Sequence, residues 1–343
     1  MSAEPISPAR RHSGPLPGRS HQLRYLISII ALVIAAAAVV FLTMAWDNPL
    51  PFGTEGFWII SKMRVSALGV IAVVAVAQSV ATIAFQTVTN NRILTPSILG
   101  FESLYRVIQT GMVFLLGAAG VTFLSGQLQF VLQVLIMVIF ACLLYGFLLT
   151  GKRADLHVTL LVGLVLGGGL ASLSTFMQRL LDPAEFDLLL ARQIASVGNA
   201  DVGKLGLAIP AVVVCSVVLY ALSGRLNVLA LGRDTAVNLG LHHQRFTILV
   251  LVLVAILVSV STALIGPMTF FGFLVAMLTY QLADTYDHKL LFPMGALLAF
   301  VVFGGAYFVL KHVFPAEGSV SIIIELVGGI AFLVYILRKG RLA

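Results

Sequence analysis

The residues of this chain that could do chemistry are few and scattered. His242-His243 is an adjacent histidine pair. Neighbours in sequence do not share a helical face, and no nearby Cys or carboxylate completes a ligand set, so no metal site is expected. Cys142 and Cys215 fall in separate apolar runs and read as small apolar side chains. No GxxxxGK[ST] loop is present, nor a GxSxG elbow or an HExxH pair. Covalent catalysis, a bound cofactor and a nucleotide site of the chain's own are therefore not expected. What remains is charge. Glu102 and Arg106 stand four residues apart, on one helical face, and can neutralise each other. The expectation is a structural ion pair near the cytoplasmic interface. Glu325 is isolated in an apolar run, where it reads as a helix–helix contact or an outer-turn charge. Lys62 and Arg64 sit two residues apart, and Lys311 follows much later.

The elements that must hold these residues are membrane helices. Of 343 residues, 59% are apolar and 10% are charged. A soluble domain carries about 25% charged residues, and so few charges could not cover a soluble surface of this size. Two cysteines exclude a disulfide scaffold, and the hydrophobicity excludes disorder. The net charge of +7 is first a matter of topology, because Lys and Arg concentrate on cytoplasmic loops.

Met1 to Arg24, with four prolines and four arginines, reads as a disordered basic tail. The apolar run after it is too long for a signal-peptide core. Ten candidate spans follow: 25–45, 59–85, 98–116, 128–149, 158–181, 205–222, 246–265, 270–282, 290–309 and 320–337. The eighth is short and follows Gly266-Pro267. Residues 25–343 leave room for short connections and no soluble domain. With the N-terminus inside, the cytoplasmic segments carry 14 Lys and Arg and the outer segments 6, with Arg106 inside a span. That split predicts both termini in the cytoplasm and an even number of spans.

Two connections are long. Leu181 to Lys204 is outside and holds Asp182, Glu185, Asp187 and Asp201. Residues 224–245 are inside, and Gly232 interrupts them. Leu226, Leu229 and Ala230, then Ala236, Leu239 and Gly240, recur at helical spacing, which predicts two short amphipathic helices. They rest on lipid, or they dock a cytoplasmic partner.

Three segments carry a resemblance. FQTVTNNRILTPSILGF (85–101), LNVLALGRDTAVNLGL (226–241) and VSVSTALIGPMTFFGFLVAMLTYQL (258–282) resemble the iron-siderophore and cobalamin family of ABC importer permeases. The similarity runs in order from Tyr25 to Arg341. NNRILTPSILGF, QRLLDPAEF (178–186) and IIIELVGGIAFL (322–333) are most similar to the ferric-siderophore branch, of the catecholate class. Two departures stand out. Lys62-Met63-Arg64-Val65 lacks the proline of the family's Arg-Leu-Pro-Arg-like run, and Ala276-Met277 replaces its Pro-His pair.

The resemblance implies an all-α type II ABC importer permease fold of about ten transmembrane helices in a bacterial cytoplasmic membrane. It implies a dimer with a second copy or a related permease, two cytoplasmic ATPases that use the ATP, and an extracytoplasmic siderophore-binding protein. Lys62, Arg64 and Lys311 would dock the binding protein; otherwise they are snorkelling cations. Leu226, Leu229, Gly232, Arg233, Asp234 and Leu239 would meet the ATPase. Gly167, Gly168, Ser172, Thr175 and Gln178 of the fifth span would line the translocation path, although small residues also serve close helix packing. The expected mechanism is alternating access. An ion- or proton-coupled secondary transporter is the alternative, disfavoured because ionisable groups are few and near span ends.

Overall fold

The computed structural model describes residues 14–16, 18–46, 48–51, 53–123, 126–148, 156–193, 197, 202–312 and 320–339. Most of the basic tail, with Lys152, Arg153, Asp201 and Arg341, lies outside them.

Thirteen α-helices occupy the described residues: α1 Arg19–Ala45, α2 Glu55–Val88, α3 Phe101–Phe123, α4 Gln127–Leu148, α5 Leu156–Gln178, α6 Pro183–Gln193, α7 Leu205–Ala221, α8 Ser223–Leu229, α9 Arg233–Asn238, α10 His243–Ile265, α11 Phe271–Ala283, α12 His288–His312 and α13 Val320–Lys339. Helices are forced on such a chain, because lipid offers no partner to an open backbone group. The ten apolar runs read from the sequence correspond to α1–α5, α7 and α10–α13. Length and apolarity alone qualify six of the described helices as spans, or seven if α7 and α8, bent by 62°, are counted together. α11, with 13 residues, is shorter than a span requires. The tail is also shorter than expected. α1 already begins at Arg19, and His21 Nδ1 lies 2.9 Å from Asp284 Oδ2 while Thr285 Oγ1 donates to the Pro15 carbonyl at 2.7 Å.

α2 is the axis of the subunit. Its apolar window is 83% buried, against 6% for α1. The other helices sheathe it, chiefly α10 and α12, with α7, α11 and α1 around them. Its start is capped by Thr54, whose Oγ1 accepts from the Phe57 N–H at 3.3 Å. α4 packs chiefly on α10, and α3 and α5 pair beside it, with α6 lying on α3 through the Leu189–Val113 contact.

α3 does not start at the membrane edge. After α2 the chain turns back through a single 3₁₀ turn, Pro96–Leu99, and Gly100 then packs on Gly167. Gly167 is the middle residue of α5, about 17 Å from either end at 1.5 Å per residue. The α10–α11 break at Gly266-Pro267 reaches the same neighbourhood, since Thr269 Oγ1 donates to Glu102 Oε2 at 2.8 Å. Two chain breaks therefore meet inside the protein, where irregular backbone is tolerated because other helices surround it.

Candidate functional site

Three regions hold the residues singled out above. At the end where α1 stops and α2 starts, Lys62 is exposed on α2. Arg64 has another task. Its Nη1 donates to the Thr43 carbonyl at 3.1 Å and the Trp46 carbonyl at 2.6 Å. The last carbonyls of a helix have no partner within it, so Arg64 caps α1. Lys311 lies at the same end, its Nζ 5.7 Å from the Tyr307 ring centroid. One turn before it, Phe308 meets Trp46 edge to face at 6.1 Å. The three cations thus share one end of the molecule, with Arg64 committed to helix capping.

On α5 the five expected residues split between two faces. Gly168, Ser172 and Thr175 are exposed along one stripe, beside Val165 and Phe176. The hydroxyls of Ser172 and Thr175 donate back to the Gly168 and Ala171 carbonyls, each at 3.0 Å. Their own helix satisfies them, leaving an apolar outer surface. Gly167 and Gln178 lie about a quarter turn away, on the side that faces α3. Gly167 is buried on Gly100, and Gln178 Nε2 donates to Ser174 Oγ at 3.1 Å and Thr110 Oγ1 at 3.3 Å. Both join α5 to α3, because small or hydrogen-bonding side chains let helices approach where hydrophobicity gives no drive.

At the opposite end, α8 and α9 flank Gly232, which has a φ of +93° that an L side chain adopts only with strain. Arg233, Asp234 and Leu239 are exposed, Leu239 by 61%. Leu226 and Leu229 are not. They are 0% and 2% exposed and belong to the main core, so they anchor α8 and cannot enter a partner's groove. Leu231 and Val237, which the helical spacing did not single out, take their place on the surface. Beside α9, a groove of about 480 Å³ is lined by residues that include Arg233, Val237, Leu241, His242 and Arg245.

The expected Glu102–Arg106 ion pair does not form. The Glu102 carboxylate bonds Thr269 instead, and Arg106 stays beyond ion-pair distance, although its charge acts on both Glu102 and Glu325. The reason is the depth of α3. Its first turn faces the α10–α11 break and lies near Glu325 of α13. Gly328 of α13 is pressed on Phe270, where an added Cβ would come to 2.8 Å. Among the described residues no group of three or more His, Cys, Asp or Glu could hold a metal ion.

The FecCD transport family matches residues 23–339. The petrobactin import system permease protein FatC of Bacillus anthracis is 46% identical over 332 residues, 97% of this chain and 94% of that protein. The petrobactin import system permease protein YclO of Bacillus subtilis (strain 168) is 35% identical over 322 residues, 94% of this chain and 99% of that protein. A solved metal-chelate type ABC transporter in an inward-facing conformation shares the fold, with a TM-score of 0.78 and 20% identity over 91% of this chain and 99% of that one.

Proposed function

This chain belongs to the FecCD transport family and is a multi-pass ABC importer permease, and from that membership we propose that it carries ferric petrobactin or a close ferric siderophore into the cytoplasm. The observation that carries the substrate is the 46% identity to a petrobactin permease over nearly the whole chain. The catecholate class read from the sequence is consistent with it and is part of the proposal.

The mechanism we infer is alternating access driven from outside the chain. With no Walker loop of its own, the permease receives energy from two ATPase subunits. The exposed apolar residues Leu231, Val237 and Leu239, next to Arg233, Asp234 and an open groove, suit such a contact. A second permease, identical or related, covers the outward stripe of α5, so that Gly168, Ser172 and Thr175 border the path. Lys62 and Lys311 receive an acidic surface of the binding protein, steering encounter more than adding affinity. Both termini face the cytoplasm.

The test is uptake of ⁵⁵Fe-petrobactin by cells that lack their own petrobactin permease and carry this one. Uptake that needs this chain, and that a hydroxamate chelate does not match, supports the reading. Equal uptake of both chelates would remove the catecholate assignment.

A further inference from the structure

The inner end of the subunit contains a hydrogen-bonded chain that no motif announced. Asn227 is the polar residue of α8 between the buried leucines 226 and 229. Its Nδ2 donates to Asp287 Oδ1 at 2.9 Å. A carboxylate only accepts, so this contact orients the amide and turns Oδ1 toward His288. Oδ1 then accepts from the His288 backbone N–H at 3.1 Å and lies against His288 Nδ1. Nδ1 must carry the proton, because Oδ1 cannot donate. On the far side of the ring, Nε2 is 2.6 Å from Thr87 Oγ1, near the end of α2. In the neutral ring Nε2 accepts, so the one Thr87 hydroxyl proton is shared between Nε2 and the Ile83 carbonyl of its own helix, 2.9 Å away. The hydroxyl, ring and amide then link Thr87 to His288, His288 to Asn227 and Asn227 to Asp287. Such aligned chains polarise each other and hold one geometry.

Placement gives this chain its meaning. α8 has seven residues, and its other anchors, Leu226 and Leu229, are apolar contacts without direction. The polar chain is what sets its register. It ties α8 to the first turn of α12 and to the last turn of α2, the most buried of the spanning helices. His288 and Thr87 are both buried. Alongside lies a cavity of about 500 Å³, bordered by Thr87, Arg92, Ala230, Tyr280 and His288, which leaves room for α8 to shift against α2.

We propose that Asn227 and His288 are positioning residues that transmit displacement of the α8–α9 segment to the central helix α2. This rests on the reading that the ATPase acts on that segment. Cut at Asn227 or Thr87, the segment would still be held by Leu226 and Leu229 and would still present Leu231, Val237 and Leu239. ATP would be hydrolysed, but α2 would follow poorly.

The experiment uses the complete transporter in proteoliposomes with its ATPase, its binding protein and ferric petrobactin, comparing wild type with Asn227→Ala, Thr87→Val and the double variant. The quantity read is chelate transported per ATP hydrolysed. Each single variant should retain ATPase assembly and lower this ratio by about tenfold, within the usual range of energetic coupling between sites. Thr87 and Asn227 do not touch, yet the double variant should be no worse than either single one, because both break the same chain. Thr87→Ser, which keeps the hydroxyl, should restore the wild-type ratio. If Asn227→Ala does not fold, the contrast of Thr87→Val with Thr87→Ser decides. An unchanged ratio in Thr87→Val, or multiplied losses in the double variant, would overturn the proposal. So would loss of ATPase binding in Asn227→Ala, since the residue would then shape the docking surface. Failure of the wild type itself to bind the ATPase or move the chelate would instead refute the assigned function.

Discussion

Gly100 and Gly167 touch backbone to backbone: a Cβ built on either would lie 3.0 Å from the Cα of the other. The contact seats the start of α3 against the centre of α5 and so fixes the depth of everything that follows it. Gly100 also has a φ of +89°. Gly100→Ala is expected to lower stability by about 1–3 kcal/mol, from strain and contact together. Gly167→Ala should cost a similar amount through contact alone. Gly168→Ala, one residue on and facing open space, should not destabilise. Thermal unfolding of the three purified variants in one detergent checks the order.

In the α8–α9 segment, Leu239→Asp and Val237→Asp should leave the protein inserted and folded while abolishing co-purification of the ATPase. Leu226→Asp should instead prevent folding, because it buries a carboxylate in the main core without a partner. Gly232→Val should cost about 1–3 kcal/mol through its left-handed backbone. Normal chelate uptake by Leu239→Asp with the ATPase bound would mean that the segment rests on lipid.

Lys62 and Arg64 should separate. Lys62→Glu is expected to weaken association of the binding protein and leave thermal stability unchanged. Arg64→Glu should lose about 1–3 kcal/mol of stability, since it removes the donor to the Thr43 and Trp46 carbonyls. Binding-protein pull-down and an unfolding midpoint, measured on both variants, distinguish docking from capping.

The polar contact between the two chain breaks is also testable. Thr269→Val should destabilise by about 1–3 kcal/mol, because the Glu102 carboxylate would lose its short hydroxyl donor in a buried setting. Thr269→Ser should be close to wild type.

Topology follows from the Lys and Arg split. In a background with Cys142 and Cys215 replaced, a cysteine at Asp187 should react with an impermeant maleimide on intact cells. A cysteine at Asp234 should react only after permeabilisation. Equal labelling would refute the cytoplasmic placement of the α8–α9 segment.

The sequence made the helices legible because a span announces itself by twenty apolar residues, and charge by side. α10 and α12 were read to within three residues of their observed ends. Faces were harder. Leu226, Leu229 and Leu239 share a helical spacing, but spacing cannot say which leucine meets a core assembled from α2 and α12. Gly167 and Gly168 are adjacent and identical, and only the arrival of Gly100 from another part of the chain separates them. Glu102 and Arg106 were paired by proximity in sequence, while the partner that won, Thr269, lies 167 positions away. Asn227 stands between Leu226 and Val228 and His288 between Asp287 and Lys289, and nothing local joins the two.

The sheathed position of α2 sets a timetable for biogenesis. Gln78, buried two-thirds of the way along it, donates to Ser261 of α10 at 3.1 Å, across 183 positions of chain. At ribosomal speeds of about 5–20 residues per second, that partner reaches the bilayer roughly 10–40 s after Gln78 does. Until then the nascent protein holds a carboxamide in lipid or against a temporary neighbour. Chains truncated before α10 should therefore be preferred clients of membrane proteases, and surveillance of this permease would concentrate on the interval between its second helix and its tenth.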